Sequence, residues 1–197
     1  MIAIGGRPYL ERVVESFAAR ELREFVFLTG FRSEVIEAHF GDGSRFGVRI
    51  AYSRETEPLG TGGAVREARA LLGDRFVLTY GDVLRQFDYD RFVARHRTHC
   101  LAVYPRLTIG NTDVAGDRVT RFDKRAPELP YIDAGFAVIG AEALELLPRE
   151  GACSFEESVY AQLASRGELG AEIIGRDFHD IGTPDELART RAALENA

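Results

Sequence analysis

Apolar runs of strand length alternate with amphipathic helical stretches along this chain, a pattern that predicts a layered α/β domain with a mainly parallel sheet. After Pro8, the apolar positions Leu10, Val13, Val14 and Phe17 fall on one helix face. The run Phe25 to Gly30 then reads as a buried strand. Ser33 is placed to cap a helix that turns Val35, Ile36 and Phe40 inward and ends at Gly41-Asp42-Gly43. Val48 to Tyr52 alternates as a strand. The glycine-rich run from Gly60 to Gly63 leads into a helix ending near Leu72, and Phe76 to Tyr80 is a further strand that stops at Gly81-Asp82.

In the second half, a helix from about Asp90 to His99 precedes a strand from Leu101 to Leu107. Thr112 to Phe122 forms a hairpin turning on Gly116-Asp117, and Ala134 to Ile139 is another strand. Two capping boxes open the last helices: Ser154 with Glu157 starts one that Gly167 terminates, and Thr183 with Glu186 starts the C-terminal one, with Pro184 in its first turn. No repeat or low-complexity linker interrupts the series, and the 197 residues fit one domain spanning 1–197.

Composition narrows the partners. A net charge of -6 without a basic tract argues against a nucleic-acid groove. No segment reaches the roughly 20 apolar residues of a membrane span, and no signal peptide is visible, so a cytosolic location is expected. Cys100 and Cys153 lack the number and spacing of a disulfide framework or zinc site and are expected to be reduced.

Strand ends carry the candidate chemistry, because open α/β sheets bind ligands there. Asp82 ends an apolar strand and is placed either to hold a hard divalent cation or to close a turn on its own backbone. Asp180, in His179-Asp180-Ile181-Gly182-Thr183-Pro184, precedes a tight turn into a helix and could meet Asp82 in the fold, two aspartates on one magnesium. Pro58 to Ala64 is a glycine-rich helix entry, either a nucleotide approach or an ordinary helix start; it matches neither a Walker A loop nor a dinucleotide fingerprint. Asp123-Lys124, followed by Asp133-Ala134-Gly135, offers a cation for a phosphate and acids for hydroxyls, against the alternative of a solvated charge run. His96 and His99 lack a third zinc ligand. Asp88-Tyr89-Asp90 has the form of a glycosyltransferase metal motif, but Asp88 also suits a helix cap.

In this order the motifs resemble the sugar-1-phosphate nucleotidyltransferase family, which includes glucose-1-phosphate thymidylyltransferases and heptose-1-phosphate guanylyltransferases. The resemblance rests on Ile4 to Leu10, His39 to Gly43, Glu57 to Ala64, Tyr80-Gly81-Asp82, Phe122-Asp123-Lys124, Asp133-Ala134-Gly135 and Asp180 to Pro184. It implies a three-layer, Rossmann-like nucleotide-diphospho-sugar transferase fold, with a mixed, mostly parallel sheet. In the implied site, Asp82 and Asp180 hold Mg2+, and Leu59, Gly60, Thr61, Gly62 and Gly81 lie along the nucleotide. Lys124 meets the sugar phosphate, while Asp123, Asp133 and Gly135 face the sugar. The implied partners are a nucleoside triphosphate and a sugar 1-phosphate, joined with release of pyrophosphate.

Two departures accompany the resemblance. Family members begin with a strand and a G-x-G-T-R-L loop and then reach a Pro-Lys-Pro, and Met1 takes the place immediately after that last proline. The first strand and glycine-rich loop are therefore expected to be missing, Met1 to be an internal methionine, and the given chain to have lost the main partners of the triphosphate that the full-length product would use. The strand that precedes it is expected to lie between those at Phe25 and Phe76. Asp123 and Arg125 replace the usual Glu and Pro, which leaves sugar choice open. Two other functions stay in view: a non-catalytic nucleotide-sugar binding module, and a glycosyltransferase using Asp88-Tyr89-Asp90.

Overall fold

The computed structural model describes residues 1–175 and 178–195. A short antiparallel hairpin, β1 (Ala3–Ile4) and β2 (Arg7–Pro8), leads into α1 (Tyr9–Ala18). The predicted face of α1 is the buried one, Leu10 being half-buried and Val13, Val14 and Phe17 fully so. β3 (Glu24–Thr29), α2 (Ser33–Phe40) and β4 (Arg49–Arg54) follow, with β3 and β4 paired in parallel as a separate two-stranded sheet. Phe25, Val26 and Phe27 are only half-buried, not the buried strand expected, because β4 is the one neighbour paired with β3. Ser33 is likewise not the cap of α2. It is the first helical residue, and Arg32 precedes it in the left-handed region at φ 58°.

α3 (Gly60–Glu67) begins at the first glycine, so Gly60 to Gly63 are helical rather than a loop ahead of the helix. Packing explains three glycines in a helix. A Cβ on Gly60 would come within 2.6 Å of the Cys153 carbonyl oxygen, and one on Gly62 within 2.7 Å of Cys153 Sγ. The propensity cost of glycine is thereby exchanged for close approach to the 151–155 segment.

The main sheet has six strands: β5 (Arg75–Thr79), β10 (Tyr131–Gly140), β7 (Cys100–Pro105), β11 (Gly170–Ile173), β9 (Arg118–Phe122) and β8 (Thr112–Ala115), in that spatial order. The sheet is mixed and mostly antiparallel, not mostly parallel as expected. Within it only β7 and β11 pair in parallel, because the ten-residue β10 runs antiparallel to both β5 and β7. The remaining elements are β6 (Val83–Arg85), α4 (Tyr89–Arg95), α5 (Ala161–Ser165), β12 (Phe178–Asp180) and α6 (Pro184–Glu195). β6 and β12 pair antiparallel.

Alternation along the central strands feeds two cores. Leu101, Val103, Ala137 and Ile139 face a cluster with Val65, Leu144, Phe155, Val159 and Leu163. Cys100, Ala102, Phe136 and Val138 face the opposite cluster, with Tyr9, Val13, Phe17, Tyr89 and Phe92. Helical segments thus cover both faces of the sheet. Phe136 is fully buried, its ring centroid 5.1 to 6.1 Å from those of Phe17, Phe87, Tyr89 and Phe92. Phe136→Ala is expected to cost about 3–5 kcal/mol in chemical denaturation; a loss below about 1 kcal/mol would contradict this packing.

Candidate functional site

Two strand ends build one mouth of a cleft of about 410 Å3. Asp82 follows β5 and immediately precedes β6, while Asp180 closes β12; the β6–β12 pairing sets Asp180 opposite Val83, and Ile181 N donates to the Asp82 carbonyl oxygen at 3.1 Å. Tyr9 locks this pair to α1: its hydroxyl donates to the His179 carbonyl oxygen at 2.6 Å and accepts from Leu84 N at 2.9 Å. Both carboxylates converge beside Gly182. A Cβ there would stand 3.0 Å from Asp180 Oδ1 and 3.7 Å from Asp82 Oδ2, so glycine leaves room that a side chain would fill. Burial pushes the Asp180 carboxyl up, and the like charges of Glu186 and Asp82 add to it. Asp180 Oδ1 also accepts from Gly182 N at 2.6 Å, which closes the turn, and the two carboxylates brought to this point are the oxygen donors a small hard cation takes before completing its shell with water and phosphate.

The far wall comes from β10 and the turn after β9. Asp133 accepts from Gly135 N at 2.6 Å, and its own N donates to Asn111 Oδ1 at 2.8 Å. Lys124 Nζ stands 3.3 Å from Glu156 Oε2. Glu156 is 2 % exposed and is the hub of the cleft, accepting from Thr61 Oγ1 at 2.8 Å, from Ser154 Oγ at 2.6 Å and from the Tyr80 hydroxyl. Thr61 Oγ1 accepts in turn from Phe155 N at 2.9 Å. One carboxylate therefore links the glycine-rich start of α3 to the lysine of the opposite wall.

Asp82, Lys124, Asp133, Gly135 and Asp180 line this cleft together. Asp123 does not. It accepts from Arg121 Nη2 at 2.8 Å and from Arg125 N at 2.9 Å, a turn at the strand end rather than a wall of the cleft. Leu59, Gly60, Gly62 and Gly81 also lie outside the lining, and Thr61 reaches it only through Glu156. Asp88 caps α4, accepting from Arg91 N at 2.9 Å, and Tyr89 is buried in the core. His96 and His99 point to separate acids, Glu172 at 2.6 Å and Glu142 at 3.3 Å.

Glu156 and Arg85 carry no functional motif in the sequence, and Tyr80 stands in one only beside Gly81-Asp82. Glu156 sits inside a capping box whose Ser and Glu already explain the helix start, although Ser154 also donates to Glu156. Arg85 carried one signal, a charge in an otherwise apolar three-residue strand.

Half-buried Asp133 and buried Glu156 titrate in opposite directions. Burial pushes Asp133 up to about 6, despite the Gly135 N–H and the Arg85 charge, which favour its ion. Burial alone would raise Glu156 too, yet hydrogen bonds from Ser154, Tyr80 and Thr61 hold it at about 2. A raised acid stabilises the fold fully below its unfolded value near 3.8, and that contribution is lost as pH rises through about 6. A depressed acid contributes above its unfolded value near 4.5 and loses this as pH falls toward 2. Asp133→Asn is therefore expected to stabilise the protein by about 2 kcal/mol at pH 7 and to change little at pH 4. Denaturation at the two pH values checks it, and an equal effect at both would contradict it.

A family model described as nucleotidyl transferase matches residues 1–118. Mannose-1-phosphate guanylyltransferase of Mycobacterium tuberculosis is 30 % identical over 207 aligned positions, which take in 98 % of this chain and 58 % of that protein. D-glycero-alpha-D-manno-heptose 1-phosphate guanylyltransferase of Campylobacter jejuni is 28 % identical, over 94 % of this chain and 86 % of its own length. Among solved structures, HddC of Yersinia pseudotuberculosis superposes with a TM-score of 0.85 at 20 % identity, covering 98 % of this chain and 88 % of that one. The same protein complexed with GMP-PN gives 0.84, with the same identity and coverage. The chain thus spans little more than half of the mycobacterial relative.

Proposed function

The chain belongs to the nucleotidyl transferase family, and on that premise we propose that it joins a nucleoside triphosphate to a sugar 1-phosphate, giving a nucleotide-sugar and pyrophosphate. The observation that carries this reading is the convergence of Asp82 and Asp180 at the mouth of a cleft whose opposite wall holds Lys124. The GMP-PN complex of the Yersinia structure supports a nucleoside phosphate as one substrate. Among the relatives, the guanylyltransferases act on mannose and heptose 1-phosphates, which supports a sugar 1-phosphate as the other. The likeness in fold supports a Rossmann-like nucleotide-diphospho-sugar transferase fold, in the variant where antiparallel β10 divides the parallel strands.

Among the described residues, four carboxylates, Asp82, Asp133, Glu156 and Asp180, line the cleft against two cations, Arg85 and Lys124. That excess repels a triphosphate unless a divalent cation balances it. Asp82 and Asp180 would hold Mg2+, which supplies charge neutralisation at the phosphates when bound. Lys124, a point charge steadied by Glu156, holds the sugar phosphate so that its oxygen faces the α-phosphorus in line. The nucleophile is already an anion, so no general base is required. Asn111 fixes the backbone of Asp133 and with it the sugar-facing wall. Free cysteines and phosphorylated substrates support a cytosolic location. Among the described residues no helix is long and apolar enough to cross a membrane.

A pyrophosphate-release assay across the four common nucleoside triphosphates and a panel of hexose and heptose 1-phosphates tests the reading. Release that requires one triphosphate, one sugar 1-phosphate and Mg2+ together is expected. A folded protein that binds nucleotide and releases nothing with any pair would instead support a binding module.

A further inference from the structure

Arg85 and Glu156 are the charged side chains buried most completely among the described residues, at 4 % and 2 % exposed. Glu156 has its counter-charge in Lys124. Arg85 has no such direct pair: among the described residues no carboxylate comes within ion-pair distance of its guanidinium, and Asp133 and Asp82 of the same cleft favour its charge only from farther off. Its Nε donates to the Ala134 carbonyl oxygen, and its Nη1 to Thr79 Oγ1 at 3.3 Å and to the Val83 carbonyl oxygen at 3.2 Å. All three acceptors are neutral. They fix the plane of the guanidinium without balancing its charge.

Strand alternation sets the direction of the side chain. Val83 and Arg85 line the cleft, while Leu84 between them packs into the core with Tyr9. The position of the head group is then secured by Gly135, whose φ is +64° and whose missing Cβ leaves the space that Arg85 Nη2 and the Tyr80 ring occupy. A buried cation held in a fixed plane at a cleft wall costs desolvation that nothing among the described residues repays with a direct ion pair. Ligand oxyanions are the natural partners of such a group, because a guanidinium offers paired donors matched to carboxylate and phosphate oxygens.

We propose that Arg85 is an oxyanion receptor of the acceptor side of this cleft, binding a phosphate or carboxylate oxygen of the sugar phosphate. This deepens the nucleotidyltransferase reading and rests on it, since that reading is what makes the occupant a sugar phosphate. Two groups on the acceptor could supply the oxyanion. One is the 1-phosphate itself, shared between Lys124 and Arg85; the other is a carboxylate on the sugar ring, which would make the acceptor a uronic acid 1-phosphate. Lys124 lies at the rim with its side chain 43 % exposed, so a second cation deeper in the wall adds a contact that Lys124 does not duplicate.

Calorimetric titration of the wild type, Arg85→Gln and Arg85→Lys with glucose 1-phosphate, mannose 1-phosphate, glucuronic acid 1-phosphate and unphosphorylated glucose tests this. Glutamine places a donor where Nε meets Ala134 while removing the charge, so the brace to β10 is kept and only the Nη1 contacts to Thr79 and Val83 are given up. Arg85→Gln is expected to weaken binding of the anionic sugars by about 10- to 100-fold, with Arg85→Lys recovering part of the loss. A loss common to all three phosphates assigns the oxyanion to the 1-phosphate; a loss confined to glucuronic acid 1-phosphate assigns it to a carboxylate. Arg85→Gln binding as the wild type does, a wild type that binds no anionic sugar, or equal losses in both variants with lowered thermal stability would each overturn the proposal. Titration with a nucleoside triphosphate and Mg2+ separates the two levels. A wild type that takes up nucleotide but shows no dependence on Arg85 fails this inference alone, whereas one that takes up neither nucleotide nor sugar phosphate fails the functional reading.

Discussion

Asp82→Asn is expected to lower the rate of pyrophosphate release by about a thousandfold while leaving the fold intact. Asp82 is exposed at the end of β5, and its backbone carbonyl, not its side chain, accepts the bond from Ile181 N. Replacing the carboxylate with an amide therefore leaves the β6–β12 register untouched, and an exposed substitution of this kind costs at most about 0.5 kcal/mol of stability. What it removes is one of two anionic donors beside Gly182, at a cleft whose opposite wall carries the Lys124 ammonium. Steady-state rates at saturating Mg2+, with far-ultraviolet dichroism as the control for folding, check it. An Asp82→Asn enzyme within tenfold of the wild type would show that the strand-end aspartate is only a turn residue.

Glu156→Ala is the second large effect, and it falls on stability first. Truncation leaves the Thr61, Ser154 and Tyr80 hydroxyls without their common acceptor and Lys124 without its counter-charge. Three hydroxyls left without an acceptor cost about 1 kcal/mol each, about 3 kcal/mol together, while the Lys124 ammonium, 43 % exposed, stays solvated. Tyr80→Phe, which removes one donor and keeps the carboxylate, supplies that smaller comparison. A sugar 1-phosphate KM that rises in Glu156→Ala, measured at a temperature where both proteins are folded, would show that the hub also positions Lys124. A stability loss below about 1 kcal/mol would contradict the hub itself.

Local pattern made much of the fold legible. The face of α1, the hairpin of β8 and β9, and the cap of α4 by Asp88 each depend on residues within a few positions of one another. Long-range pairing was less accessible. Nothing near Tyr131 to Gly140 indicates that β10 runs antiparallel between β5 and β7, so the proportion of parallel pairs was overestimated. The half-buried state of β3 likewise depends on what pairs with its edges rather than on its apolar residues. At the cleft the same division holds. Asp82, Lys124, Asp133 and Asp180 stand in strand-end motifs that could be noticed, whereas Glu156 and Arg85 owe their places to partners distant in sequence, 95 residues away for Thr61 and 49 for Ala134. Asp123 was the converse case, a motif residue whose hydrogen bonds are satisfied by its immediate neighbours.

The central claim is that Asp82 and Asp180 share one divalent cation at the mouth of the cleft. Electron paramagnetic resonance of Mn2+, titrated into the protein with a nucleoside triphosphate present, measures that occupancy directly. The account predicts one tightly bound Mn2+ in the wild type and its loss in Asp82→Asn and in Asp180→Asn taken separately. Retention of the bound ion in either single variant, with the protein folded, would contradict it.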